Sequence, residues 1–525
     1  MDPWLEKCRS MRTSESETLG DVLDVPMQID PEKVAVHFED LAISYRELDT
    51  RANRVANALG EAGVRPGDRI AIHVDNRPDF IGIFLGVMRA GGILVPTNVM
   101  YTRDELEHIL GDSGARMVFV LDQFSEKLAG STSRLDGLEK IVEVGSPRIE
   151  GSLGLDEFLA GAGEERTRVA VSPDDVAIIQ YTSGTTGKPK GAMVSHFNVL
   201  RLIENLAELP GLPNRDQDDV TLAVLPLFHS YALNLVINQA FVTAQSLVLV
   251  NRFDPAMIFE LVEKHKVTLF YGAPPMFHAF VNTPGLDKYD ISSLKGAYSG
   301  AAPLPVVILE RFREMTGAEI CEGYGLSETS PTLTSNAAGT VNKPGSVGPA
   351  IPEVTLRIVD ENDRDVPPGQ VGEIIARGPN IFKGYWNREE ETQEAMRGGW
   401  FHTGDMGRID EDGYYYIVDR KKDMIVVSGY NVYPIEVENV IMRHPSVVDA
   451  AVIGVPDDYQ GESVKALLIL KEGETISLDE LTAYCREHLA AFKVPKHLEI
   501  RDSLPKSPTG KVVKRELRAL EADAG

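Results

Sequence analysis

A chain of 525 residues has the length for two or three domains and for large buried cores, and its 43% hydrophobic and 25% charged content is a globular balance that excludes a disordered chain. A formal net charge of -26 sets it against nonspecific binding to nucleic acid or an anionic membrane, so any phosphate site has to be built from local donors. Cys8, Cys321 and Cys485 are scattered without C-x-x-C spacing, which excludes a disulfide framework and a cysteine zinc site and fits a reducing cytoplasm.

The first residues, M-D-P-W-L-E-K, carry charges and no apolar core, so no signal peptide is expected. Ser44 stands three residues before Glu47, a capping-box spacing, and Leu48, Ala52, Val55, Ala56 and Leu59 recur at helical period, so residues 41–63 are expected to form an amphipathic helix. Strands are expected at 69–74, 93–96, 117–120 and 141–144, with an apolar helix at 78–90. Past residue 191 the pattern continues with helices at 198–209 and 256–265 and strands at 221–225 and 246–250. This alternation predicts an α/β fold with a largely parallel sheet.

Residues 181–191 read Y-T-S-G-T-T-G-K-P-K-G after the apolar run Val176, Ala177, Ile178, Ile179. Glycines let backbone N–H groups face an anion, hydroxyls add donors and lysines add mobile positive charge, a composition suited to a polyphosphate. The G-x-x-x-x-G-K-[ST] loop of kinases and ATPases is excluded, because Thr182 stands where its first glycine would be and Pro189 follows Lys188. Residues 220–250 carry no charge and are long enough to span a bilayer. Pro226, His229, Asn234, Asn238, Gln239 and Gln245 interrupt them, which predicts strand, turn and buried helix instead of a membrane span.

After about Asn336 strands shorten and turns such as Pro367-Pro368-Gly369 and Asp412-Gly413 multiply, a β-rich stretch reaching Val418. The charge run Asp419-Arg420-Lys421-Lys422-Asp423 then reads as a solvated loop or as a linker to a tail of roughly one hundred residues, an ordinary domain size. That tail is expected to run strand, helix (435–442), strand (448–455), strand (464–470), helix (478–489) and a basic end. The expected division is 1–418, a hinge at 419–423, and 424–525.

Five motifs in order, Y-T-S-G-T-T-G-K-P-K-G (181–191), L-P-L-F-H-S-Y-A-L (225–233), G-Y-G-L-S-E-T (323–329), W-F-H-T-G-D with D-R-K-K-D-M-I-V-V-S-G-Y-N-V-Y-P (400–405 and 419–434), and L-P-K-S-P-T-G-K (504–511), resemble the adenylate-forming superfamily of acyl-CoA synthetases, luciferases and peptide-synthetase adenylation domains. The resemblance covers about 34–517. It implies a large α/β N-terminal domain with a small β-barrel-like part and a small mobile α+β C-terminal domain. It also implies activation of a carboxylic acid by ATP and Mg2+ to acyl-AMP, then transfer to CoA.

The same resemblance assigns roles. Thr182, Ser183, Gly184, Thr185, Thr186 and Gly187 would wrap the β- and γ-phosphates with Lys190 nearby, Thr185 counting among the catalytic residues. Glu328 would hold Mg2+ and Ser327 would reach the α-phosphate. Gly300, Ala301, Glu322, Gly323, Tyr324 and Gly325 would flank the adenine, with Tyr324 stacked on it. Asp405, supported by Arg420, would take the ribose hydroxyls, and Lys511 would bridge carboxylate and α-phosphate during adenylation. Lys422 would be the hinge, and Ser428, Gly429 and Tyr430 would line the pantetheine tunnel. His229 would gate the acyl side, with Tyr231, Tyr298 and Gly300 in the acyl pocket. Singly, these residue types also do ordinary work: Glu328 as a helix cap, Asp405 closing a turn, Lys511 in a basic tail, His229 bonded to a carbonyl, Tyr231 packing.

For the acid, E-K-H-K-V-T-L-F-Y-G-A-P-P (263–275) resembles bacterial medium- and long-chain fatty acyl-CoA synthetases, whereas F-H-S-Y-A-L-N (228–234) also resembles hydroxycinnamate-CoA ligases, where the tyrosine meets a phenol. No arginine in the P-L-F-H-S-Y segment answers a second carboxylate, which disfavours a dicarboxylic acid. A non-catalytic acyl- or AMP-binding protein, a carrier-loading module and a luciferase-like oxygenase remain as alternatives. The partners expected are a small carboxylic acid, ATP and CoA, with no nucleic acid and no transmembrane span, and with room for peripheral membrane contact and a homodimer.

Overall fold

The computed structural model describes residues 18–182, 189–207, 209, 217–302, 304–339, 341–428, 430–457, 459–507 and 510–524. The chain packs as two compact units. One takes the described residues of Met1–Pro344, Gly348–Thr355 and Ala376–Phe401, and the other those of Gly345–Val347, Leu356–Ile375 and His402–Gly525.

The first unit is α/β, but its strands build two sheets where one was expected. A seven-stranded sheet runs, in spatial order, Leu153–Gly154, Lys140–Val144, Met117–Leu121, Arg69–His73, Ile93–Pro96, Val176–Thr182, Lys190–Ser195. Only its last pair is antiparallel. An eight-stranded sheet runs Thr334–Ser335, Ile320–Tyr324, Gly296–Ser299, Leu269–Gly272, Val220–Ala223, Ser246–Leu249, Val34–Phe38, Leu41–Ser44. It is parallel inside and antiparallel at both ends. The inner strands are short continuous apolar runs such as Met117–Leu121, buried along their whole length, as a parallel sheet covered on both faces requires. Their side chains fill two cores, one around Val118, Val120 and Ile179 and one around Leu222, Phe270 and Phe312. Each fully buried side chain of this size contributes roughly 1.5–3 kcal/mol.

The first helix is Tyr45–Glu61, not 41–63. Ser44 caps it in the expected box with Glu47, and Leu41–Ser44 instead pair antiparallel with Val34–Phe38. The stretch 220–250 folds as strand Val220–Ala223, a π-helical turn Tyr231–Ile237 continuing into helix Asn238–Val242, and strand Ser246–Leu249. Among the described residues no helix is long and apolar enough to cross a membrane. Buried Asn76 fixes the turn leading into the π-helix: its amide donates to the carbonyls of Leu225 and Val250, both at 2.9 Å, and its oxygen accepts from Leu227 N–H at 2.8 Å.

In the second unit the β-rich stretch gives a four-stranded sheet, Thr355–Val359, Gly372–Arg377, Phe401–Ile409, Tyr415–Arg420, with Thr355, Ala376–Arg377 and Phe401 at the strand ends belonging to the first unit. Beyond it a hairpin, Ile425–Val427 with Tyr430–Val432, joins a five-stranded sheet with Gly461–Leu470, Val447–Asp457 and His497–Ile500. Helices Pro434–Ile441 and Leu478–Arg486 bury Val437, Val440, Leu481 and Cys485 against it. Burial pushes the Cys485 thiol up to about 11, so it packs as an inert apolar group. The expected basic end is a helix, Lys514–Ala524, whose Leu517 is buried with Ala451, Ile453 and Leu467.

Candidate active site

The hydroxyl- and glycine-rich loop joins Val176–Thr182 to Lys190–Ser195, which pair antiparallel with Thr182 opposite Lys190. A strand–loop–strand hairpin differs from the strand–loop–helix of a P-loop, in agreement with the motif test. Ser183, Gly184, Thr185, Thr186 and Gly187 lie outside the described residues. The base of the hairpin is closely packed: a Cβ on Gly191 would stand 2.5 Å from Ile179 Cγ2, and Tyr181 donates to Asp112 at 2.7 Å.

Lys190 does not stand alone. Its ammonium lies 5.4 Å from the ring centroid of Tyr385, and the Tyr385 hydroxyl donates to Glu328 Oε1 at 2.9 Å. The segment 380–386 holds this arrangement from both sides. It pairs with the hairpin through Lys383 N–H to Met193 O, Met193 N–H to Gly384 O and Trp386 N–H to Gly191 O. It grips the Glu328 turn through Phe382 N–H to Glu328 O and the Asn380 amide to the carbonyls of Thr329 and Thr332. Sequence reasoning missed Tyr385; the aromatic pair after a glycine in K-G-Y-W was the available signal.

Glu328 sits in a short turn, Ser327–Thr329, after strand Ile320–Tyr324, and is 7% exposed. Gly325 makes that approach possible, because a Cβ there would stand 1.8 Å from the Pro331 carbonyl oxygen. Gly323 likewise faces the Thr334 carbonyl, 3.0 Å from a Cβ position, and Tyr324 ends the strand beside them. Glu322 is buried, and its Oε1 accepts from Leu304 N–H at 3.1 Å. It thereby ties down the loop that follows Gly300 and Ala301, the latter held at φ 72°. The Ser327 hydroxyl lies 3.2 Å from that of Ser230, which joins the Glu328 turn to the His229 segment. Among the described residues no three His, Cys, Asp or Glu side chains gather into a cage for an ion. One buried carboxylate fits an ion that arrives with phosphates and water, as Mg2+ does.

Around Gly300 the expected acyl residues converge. Tyr298 stacks on Tyr271 with centroids 4.7 Å apart, Tyr231 meets Tyr271 edge-on at 6.3 Å, and the Tyr231 hydroxyl donates to Tyr298 O at 3.4 Å. The Tyr231 ring lies against Gly300, where a Cβ would be 2.9 Å from Cε1. His229 Nδ1 accepts from Tyr231 N–H at 3.2 Å, which fixes a neutral ring, and desolvation pushes its pKa down to about 4.

The second unit gathers its own set. Asp405 and Arg420 face each other across Phe401–Ile409 and Tyr415–Arg420 and form an ion pair at 3.0 Å, Asp405 being 4% exposed. Lys511 stands on a turn closed by Ser507 N–H to Lys511 O and Gly510 N–H to Ser507 O. Its ammonium pKa is lowered, by desolvation first and by the Arg420 guanidinium second, with Asp405 pulling the other way. Lys422 lies between two anchored neighbours: Lys421 pairs with Glu373 at 3.0 Å and Asp423 with Arg518 at 2.8 Å. Ser428, at φ 50°, is in the turn of the hairpin whose next strand begins at Tyr430; Gly429 lies outside the described residues. Tyr430 is exposed and stacks on Phe492 at 4.8 Å.

The family of AMP-binding enzymes matches residues 24–386, and the AMP-binding enzyme C-terminal domain matches 436–511. The chain is 36% identical to a long-chain-fatty-acid–CoA ligase of Bacillus subtilis (strain 168), over 99% of this chain and 98% of that one. It is 37% identical to a feruloyl-CoA synthase of Amycolatopsis sp, over 94% and 96%. ATP-bound MatB from Rhodopseudomonas palustris superposes with a TM-score of 0.89 at 34% identity, over 96% and 99%. With an antiparallel hydroxyl-rich hairpin, a buried carboxylate turn and a matching C-terminal domain, the chain belongs to the AMP-binding enzymes and is an AMP-forming acyl-CoA ligase that uses ATP and CoA.

Proposed function

We propose that the acid activated is a medium- or long-chain fatty acid. A carboxylate oxygen attacks the α-phosphorus of ATP and the bond to pyrophosphate breaks, giving acyl-AMP. The CoA sulfur then attacks the acyl carbonyl and AMP departs with the oxygen that came from the acid. Glu328, with the 182–187 loop, would hold Mg2+, which would offset phosphate charge in the first step. Lys190 binds phosphate and Ser327 orients the α-phosphate. Asp405 and Arg420 hold the ribose, and Tyr324 with Gly300, Ala301, Glu322, Gly323 and Gly325 forms the adenine wall. Lys511 neutralises charge where carboxylate and α-phosphate meet.

Thiol attack requires Lys511 to leave. Lys422 is the hinge, a role supported by its position between the anchored Lys421 and Asp423, and residues 424–525 move as the C-terminal domain. Ser428, Gly429 and Tyr430 then line the pantetheine path. Loop and domain motions of this kind separate two chemical steps in one site. A reducing cytoplasm suits Cys321 and Cys485, neither of which is in a disulfide.

The observation that carries the fatty-acid reading is the state of Tyr231. Its hydroxyl is engaged by the Tyr298 carbonyl and its ring rests on Gly300, so it packs as an apolar wall suited to an alkyl chain. The second reading, a hydroxycinnamate, is favoured by the likeness to a feruloyl-CoA synthase at 37% identity. Pyrophosphate release with ATP, Mg2+ and CoA across acetate, octanoate, palmitate, 4-coumarate, ferulate and benzoate decides between them. A maximum at octanoate or palmitate is expected. A maximum at ferulate or coumarate makes Tyr231 a phenol contact, and no turnover with any acid returns the chain to a binding role.

A further inference from the structure

We infer that Tyr385 is a positioning residue for the first half-reaction, its hydroxyl setting the Glu328 carboxylate and its ring holding the Lys190 ammonium beside the phosphate loop. The inference rests on the reading of Glu328 as the carboxylate that meets the metal of the incoming nucleotide.

Three independent placements converge on this side chain. The hydroxyl lies 2.9 Å from Glu328 Oε1, and an O–H donor there restrains how the carboxylate is turned. The ring face receives Lys190 at 5.4 Å, an attraction that holds a flexible ammonium in place without consuming its donors. The backbone of Tyr385 bridges Ala192 on the hairpin strand, and its ring packs edge-on against Phe382 at 4.9 Å. Phe382 in turn donates its N–H to the Glu328 carbonyl. A single residue thus fixes the separation between the cation and the carboxylate that bind opposite charges of one metal–nucleotide complex. A donor to Oε1 restrains how the whole carboxylate is turned, the way an outer hydrogen bond orients a metal-binding carboxylate.

Tyr385→Phe removes only the hydroxyl and keeps the ring against Phe382. Mn2+ binding to the enzyme–ATP complex, read from the free-Mn2+ paramagnetic resonance signal, should weaken about tenfold, the order expected for one hydrogen bond to a charged group. Glu328→Gln should weaken it at least as much, and the double variant no further. In steady state, the Mg2+ concentration for half-maximal pyrophosphate release should rise by the same factor, while kcat at saturating Mg2+ recovers to within about threefold. General damage to the fold would not be repaired by metal. Tyr385→Leu, which also removes the ring face, should raise the KM for ATP a further two- to fivefold or so through Lys190.

If Tyr385→Phe leaves Mn2+ affinity unchanged while Glu328→Gln weakens it, the positioning role is wrong and the metal reading stands. If Glu328→Gln also leaves it unchanged, the metal reading falls and the inference with it. Equal KM values for ATP in the Leu and Phe variants overturn the lysine contact.

Discussion

Replacing Gly300 by alanine puts a methyl group 2.9 Å from Tyr231 Cε1, 3.3 Å from Cζ and 3.5 Å from Cδ1. Carbon atoms in contact settle near 3.5–4.0 Å, so the ring has to retreat by roughly half an ångström or more. Its retreat is resisted by Tyr271 at its edge and by the hydroxyl's bond to the Tyr298 carbonyl. Overpacking of this kind costs about 1–3 kcal/mol, which is roughly a 5- to 150-fold loss if it falls on the adenylation transition state. Pyrophosphate release with palmitate should therefore lose that much in kcat/KM while the KM for ATP stays within about twofold, the clash being with Tyr231 and not with the strand Ile320–Tyr324. Tyr231→Leu in the Gly300→Ala background removes the opposing ring, so the two substitutions should be strongly non-additive. Unchanged palmitate kinetics in Gly300→Ala, or simple additivity in the double variant, would refute the placement of Tyr231 in the acyl wall.

Lys511→Ala should lower acyl-AMP formation by about 10²–10³-fold, the range for removing one preorganised charge. Thioester formation from supplied acyl-AMP should be largely retained, and equal loss in both half-reactions would contradict the role. Gly325→Ala meets only backbone, Pro331 O at 1.8 Å and Thr332 Cα at 2.7 Å, so the turn carrying Glu328 must move. Urea denaturation should register a loss of about 1–3 kcal/mol or more, with adenylation failing in parallel. His229 has its pKa pushed down to about 4 by desolvation, whereas the unfolded chain titrates near 6.5. Between those values the unfolded state holds the extra proton, so this contribution to stability is intact above about pH 6.5 and is lost as pH falls toward 4. Unfolding free energy should drop by on the order of 1 kcal/mol between pH 7.5 and 5.5 on this account, and His229→Asn should show a correspondingly smaller drop; an identical drop would sink the assignment.

Local signals in the chain located most elements, and non-local pairing decided what they became. The strands at 93–96, 117–121 and 246–249 are short apolar runs and were readable as such. Their division into two sheets was not, because it depends on pairings such as Val36 with Leu247, which no window of sequence contains. The capping box at Ser44 marked the true start of the first helix, and residues 41–44, counted into the expected helix, are a strand only because Val34–Phe38 lies beside them. In the last segment the lysines and arginines of K-R-E-L-R-A-L drew attention to charge, while Leu517, buried at 0% exposure, marks the helix face.

The candidate site was legible where chemistry crowds into a short motif, as around Lys190, Glu328 and Asp405. It was not legible where a residue works through its neighbours. Tyr385 sits 57 positions from the carboxylate it contacts, and Glu322, assigned to the adenine wall, spends its Oε1 on the backbone of Leu304. The π-helical turn that presents Tyr231 has no sequence signature, although such turns are frequent at functional positions.

The central claim is that the acid is joined to AMP before the thiol attacks. Palmitate labelled with 18O in both carboxylate oxygens, incubated with ATP, Mg2+ and CoA, tests it by mass spectrometry of the products. The account predicts one labelled oxygen in AMP, none in pyrophosphate and one retained in palmitoyl-CoA. Label in pyrophosphate or inorganic phosphate, or acyl-CoA formed with unlabelled AMP, would contradict it.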